Sequence, residues 1–172
     1  MPMFERSSCA GSQVPIRLLA VTPEDSHYRG LQSAIAGTHW NLYRSRTIVE
    51  ALSAVINHQV EVIATDRELA DGTWMDLIEC LRACRNAPRV IVFSPVADDR
   101  LWMDVLHGGG YDLLGTPFER PEVQRTIHRA WLSWEKRANG LRSVWFPVEE
   151  PQPNRVPNKG FIKSHAARGL KR

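Results

Sequence analysis

The stretch Val60-Glu-Val-Ile-Ala-Thr-Asp66 is a short apolar run that ends on one carboxylate and is followed by a turn and an amphipathic segment from Trp74. An acid so placed sits at the C-terminal tip of a strand, where open α/β sheets gather their ligands. It is expected to face solvent from a rigid support. A carboxylate there can act as a nucleophile and take a phosphoryl group as an acyl phosphate. Two further acids, Glu24 and Asp25, follow the run Ile16–Val21 after Thr22-Pro23. If the two runs are neighbouring strands, Glu24, Asp25 and Asp66 converge. With a main-chain carbonyl and waters they make a hard-oxygen site of the kind Mg²⁺ takes, and the ion would offset repulsion between the acids and a phosphoryl group. The competing reading makes Glu24 and Asp25 N-terminal acids of the next helix.

The elements that must position these residues alternate along the chain. Strand runs are expected at 16–21, 40–44, 60–65, 90–93 and 111–114, the second a weaker edge strand. Between them, apolar residues recur at helical spacing: Tyr28, Leu31 and Ile35, then Ile48, Leu52, Val55 and Ile56. Trp74, Leu77, Ile78 and Leu81 mark a third helix, and Leu101, Trp102, Val105 and Leu106 a fourth. Gly108-Gly-Gly110 stops the fourth, since glycine accepts the positive φ of a C-cap. A fifth helix starts near Arg120 and carries Val123, Ile127, Ala130, Trp131 and Trp134. Five strands alternating with five helices over short loops imply α/β architecture, a (βα)5 doubly wound five-stranded parallel sheet. Pattern alone leaves the strand order open.

The 172 residues, 43% of them hydrophobic, suffice for one domain with its own core. Residues 1–14 read as a flexible lead-in, 15–139 as the domain, and 140–172 as a proline-rich, basic, disordered tail. The net charge of +3 is uneven: residues 141–172 hold seven Lys/Arg against Glu149 and Glu150. Apolar runs are too short for a membrane span, no signal peptide is evident, and three cysteines are too few for a disulfide scaffold. These features point to a cytoplasmic protein. Cys80 and Cys84 lack further soft ligands nearby, and the six histidines show no metal-type spacing. No nucleophile elbow, catalytic Ser-His-Asp order or P-loop is present. The tail lacks a recognisable DNA-binding fold, so nucleic acid is not an expected partner.

The element order and several local motifs resemble the receiver domain of two-component response regulators. Asp66-Arg-Glu-Leu-Ala-Asp-Gly-Thr-Trp is similar to the family's phosphoacceptor loop, Ser94 after Val-Ile-Val-Phe to its Ser/Thr ending strand four, and Thr116-Pro117-Phe118 to its Lys-Pro-Phe. The resemblance implies a flavodoxin-like receiver fold over about residues 15–138, a signalling module and not an enzyme. It further implies that Asp66 takes phosphate from a histidine kinase or phosphotransfer protein. Glu24, Asp25, Asp66 and the main-chain carbonyl of Glu68 would hold Mg²⁺, and Ser94 would bond the phosphoryl oxygens. The Thr116–Pro117 bond would be cis, and the face made by helix four, strand five and helix five would serve partners or a homodimer.

The chain also departs from the family. Thr116 stands in place of the lysine and supplies no positive charge for phosphate. The paired acids after strand one are reduced to Pro23-Glu24 unless Asp25 substitutes, Leu113 replaces the strand-five aromatic, and Trp74 the loop glycine. Two functions remain open: a phosphorylated receiver, or a degenerate pseudo-receiver that acts as a phosphorylation-independent interaction or dimerisation module. A flavodoxin-like nucleotide binder is disfavoured because no glycine-rich loop precedes the first helix. Trp131 is expected in the core, and Trp134 at an interface.

Overall fold

A computed structural model describes residues 15–145, with side chains through residue 140. Readings that concern residues 1–14 and 146–172, the lead-in and most of the tail, lie outside the described residues. The order is β1 (Arg17–Val21), α1 (Asp25–Ala34), β2 (Asn41–Ser45), α2 (Ile48–His58), β3 (Val62–Asp66), β4 (Glu68–Leu69), β5 (Gly72–Thr73), α3 (Trp74–Leu81), β6 (Arg89–Ser94), α4 (Asp99–His107), β7 (Asp112–Gly115) and α5 (Arg120–Trp145). The main sheet is parallel and ordered β2-β1-β3-β6-β7. Chain order thus reverses at β1 and β3, and the crevice beyond their C-terminal ends is the topological switch point of the sheet.

The strands form because both of their faces are covered. Leu18 to Val21, Val62 to Ala64 and Ile91 to Phe93 are shut off from solvent, the near-continuous apolar signature of a parallel sheet between two helical layers. Side chains alternate across the sheet. Leu19, Val21, Ile63 and Val92 face a core closed by α2, α3 and α4, whereas Leu18, Ala20, Ile91 and Phe93 face one closed by α1 and α5. Trp131 packs against this second core, as expected. The outer strand β2 is only partly covered.

Two features differ from the sequence expectation. The turn after Asp66 is a two-stranded antiparallel ribbon, β4–β5, pairing Glu68 with Thr73 and Leu69 with Gly72. Its Asp71 carboxylate accepts from the Ile48 amide at 2.8 and 2.9 Å and from the Val49 amide at 3.3 Å. It thereby satisfies donors that the first turn of α2 leaves open and pins the ribbon to that helix. The Thr73 amide and hydroxyl both donate to Asp76 at 2.8 Å, and these bonds hold the Asp76 carboxyl below its ordinary range. Second, α5 runs through Trp145, so the first residues assigned to the tail continue the last helix.

The triple glycine after α4 is demanded by space as much as by dihedrals. Gly109 takes φ 93°, and a Cβ on Gly110 would lie 2.5 Å from Val105 Cγ1 and 2.9 Å from the Val105 carbonyl oxygen. Because one of those neighbours is backbone, it yields only if the helix end moves. Gly110→Ala is expected to destabilise by about 1–3 kcal/mol, the usual cost of overpacking, read as a lower urea midpoint at unchanged m-value.

Candidate functional site

The register of β1 against β3 builds the site. Val21 pairs with Thr65, so the next residues, Thr22 and Asp66, face each other across the switch point. Asp66 Oδ2 accepts from the Thr22 hydroxyl at 2.8 Å and lies 2.8 Å from His27 Nδ1. The Asp66 side chain is 13% exposed. It is partly exposed and bonded through one oxygen, a more sheltered position than the open, solvent-facing acid expected. His27 is held in turn, its ring edge-on to Phe93 with centroids 5.4 Å apart. Thr22 is fully buried and also accepts from the Glu24 amide at 3.1 Å, fixing the entry into α1.

Glu24 stands at the N-cap of α1 but makes no capping hydrogen bond with its side chain, which is exposed. Asp25 turns away from Asp66 toward β2. Its Oδ1 accepts from Arg44 and, at 3.1 Å, from Arg46. The Arg44 guanidinium itself lies 4.8 Å from the centre of the Tyr28 ring. Hydrogen bonding and charge from Arg44, with the charge of Arg46, hold the Asp25 carboxyl below the ordinary carboxylate range.

Ser94 and Thr116 stand at the ends of the next strands. Phe93 pairs with Asp66, which sets Ser94 one residue beyond. Ser94 is buried, and its hydroxyl accepts from the Val96 amide at 3.2 Å. The Thr116 amide donates to the Ser94 carbonyl at 3.1 Å, and the Thr116–Pro117 peptide is cis. Leu113 packs against the core under α2–α4. Glu68, exposed in β4, follows Asp66 by two residues.

The structure therefore brings Asp66, Ser94 and Thr116 to adjoining strand ends and places Thr22 and His27 on the Asp66 carboxylate. These last two were missed. A register count would have found Thr22, since it follows the β1 run as Asp66 ends the β3 run. His27 falls in the first turn of α1, whose N-terminus opens at the strand ends.

The donor set here suits a hard divalent ion poorly. Mg²⁺ requires near-octahedral oxygen ligands, whereas Asp66 meets a hydroxyl and an imidazole, and Asp25 is neutralised by two arginines. Among the described residues, no three Asp, Glu, His or Cys side chains gather as a metal site.

The Asp25 pairing sets a sign for acid behaviour. A carboxyl depressed in the folded state contributes stability that is complete above its unfolded value, near the ordinary 3.8, and is lost as pH falls through the folded value. Titration of the Asp25 carboxyl carbon by NMR is expected to give a midpoint below 3.8, moving up toward it in Arg44→Ala.

No protein-family model matches the chain, and a search of curated proteins finds no match. Solved structures do match. The signal receiver domain of a LuxO repressor protein from Vibrio parahaemolyticus superposes with TM-score 0.66 at 14% identity, covering 73% of this chain and 96% of that one. The chemotaxis response regulator CheY4 of Vibrio cholerae gives 0.61 at 15% identity, covering 68% and 99%. The beryllofluoride-activated NtrC4 receiver domain dimer gives 0.62 at 22% identity, covering 69% and 98%. Identities this low speak for architecture alone, and with the strand order and helix placement they show that this chain has the fold of a signal receiver domain.

Proposed function

We propose that this chain is a receiver-type module of two-component signalling that works through protein contacts and independently of phosphate, a non-enzymatic pseudo-receiver of the cytoplasm. The observation that carries the reading is the state of Asp66, whose Oδ2 is engaged by both Thr22 and His27. Both bonds fall on one oxygen, and an acyl phosphate on the other would turn Oδ2 from a charged acceptor into a carbonyl oxygen, weakening what Thr22 and His27 now hold. No lysine stands at position 116 to pair with the incoming charge, and a ligand shifts a two-state equilibrium only through its differential affinity for the states.

The contact surface in this reading is the face of α4, β7 and α5. Trp102 and Met103 are 42% and 46% exposed on α4, with Leu132 at 37% on α5. The Trp102 indole donates to Asp112 of β7 at 3.1 Å, which fixes the ring at the surface. Rigid exposed aromatic and sulfur-bearing side chains are what interfaces enrich. The occupant is a second copy of the chain or a kinase or phosphotransfer protein. Trp134, also expected at an interface, donates its indole N–H to the Asn86 carbonyl at 3.3 Å and borders a hollow beside Val55 and Ile56 of α2, so it lies away from this surface.

A second reading, Asp66 as phosphoacceptor, is favoured by one observation: Asp66, Ser94 and Thr116 end adjoining strands. Intact mass after incubation with acetyl phosphate and Mg²⁺, wild type beside Asp66→Ala, separates the two, with beryllofluoride-induced NMR shifts guarding against a labile product. The expected outcome is no adduct and no shift, together with self-association or partner binding unchanged in Asp66→Ala and weakened about tenfold or more in Trp102→Ala. A single phosphoryl adduct lost in Asp66→Ala would overturn the proposal in favour of the second reading.

A further inference from the structure

At the end of the sheet opposite Asp66 lies a hollow of about 570 Å³ between the start of β6 and the middle of α5, lined by Arg89, Tyr111, Arg129, Leu132, Ser133, Lys136 and Arg137. Four of its walls are cations and none is an acid. Arg129, Ser133, Lys136 and Arg137 follow one another at helical spacing, so they form a single stripe of α5. Arg89 and Arg137 also border an adjoining hollow of about 320 Å³.

The guanidinium of Arg89 is held in place without being neutralised. One N–H reaches the Ser133 carbonyl only at 3.4 Å, the Tyr111 ring centre is 5.9 Å from its Cζ, and its Nε is closed off without a hydrogen-bond partner. Arg137 donates to the Ala87 carbonyl. Burial, with the neighbouring charge of Arg89, pushes the Arg137 guanidinium below its ordinary range. Neither residue forms an ion pair among those found in the described residues. Like charges confined together in this way raise the local affinity for an anion.

We propose that this hollow binds a nucleotide-sized phosphorylated anion, with phosphate oxygens on Arg89, Lys136 and Arg137 and a planar group against Tyr111 and Leu132. Guanidinium forks match phosphate geometry and bond it through parallel charge-assisted contacts. The recess is shallow and open to solvent, with a volume in the range of about 300–1,000 Å³ that small-molecule sites occupy, and cations converging on one spot instead of running along a groove favour a small anion over an extended acidic partner. The chain's own C-terminal segment is an unsuitable occupant, since residues 141–172 carry seven Lys/Arg against two acids and would add like charge. The site does not depend on the chemistry at Asp66.

Isothermal titration of the full chain with ATP and with inorganic pyrophosphate, without metal at low ionic strength, tests this. Both are expected to bind with one-to-one stoichiometry, weakening at least tenfold in Arg137→Glu and in Lys136→Glu and remaining unchanged in Asp66→Ala. Both substitutions fall on exposed helix positions, and thermal melts would confirm that the variants fold. Arg89→Lys, which keeps the charge and loses the fork, is expected to weaken binding severalfold. Absence of binding at millimolar ATP would overturn the proposal. So would binding indifferent to Arg137→Glu, which would locate it on the basic C-terminal segment. Binding of single-stranded RNA but of neither small anion would also overturn it, assigning the hollow to a macromolecular polyanion.

Discussion

The parallel pairing of β1 with β3 is the constraint on which the rest of the molecule depends. Both strands lie inside the sheet and are sealed on both faces, so a slip of one residue would turn Leu19, Val21 and Ile63 into the wrong core. The two apolar layers therefore lock the register to the residue. Once locked, it decides what stands beside Asp66. The neighbour is Thr22, and the short hydroxyl bond between them is a by-product of a register chosen for burial.

Much of the fold could be read from the sequence, because buried parallel strands declare themselves as apolar runs and the helices between them by their spacing. The β4–β5 ribbon could not, since two-residue strands carry no periodicity. Its anchor, Asp71 on the first amides of α2, joins residues 22 or 23 positions apart. At the site, Asp66, Ser94 and Thr116 were visible as strand-end residues. The fate of Asp25 was not, because its partners come from another strand: Arg44 lies opposite Ala20, a relation that exists only once β2 is known to pair with β1. His27 was hidden for a similar reason, being one of six scattered histidines until the fold set α1 over the end of β3.

The two ends of the sheet are chemically opposed. At the C-terminal end one oxygen of a partly exposed carboxylate is engaged by two neighbours. At the N-terminal end Glu61, nearly buried, accepts from the amide and guanidinium of Arg17 at 2.9 and 2.8 Å, while the cations around Arg89 meet no such acid. Neutralisation is thus uneven: Glu61 at that end is paired with Arg17, whereas Arg89 and Arg137 form no ion pair among those of the described residues.

The length of α5 has a mechanical consequence. Its 26 residues span about 39 Å at the helical rise, against about 15 Å for the ten residues of α1. Past Ala130 the helix is still tied to the domain, by Trp131 against the core and by Trp134 and Arg137 on the Asn86 and Ala87 carbonyls, and about 12 Å of it runs on from Arg137 to Trp145. A rod held along most of its length turns as a whole with its clamp. A tilt of about five degrees would carry that last stretch through about 1 Å relative to Arg137. Repacking along α5 is thereby passed on to a point outside the core.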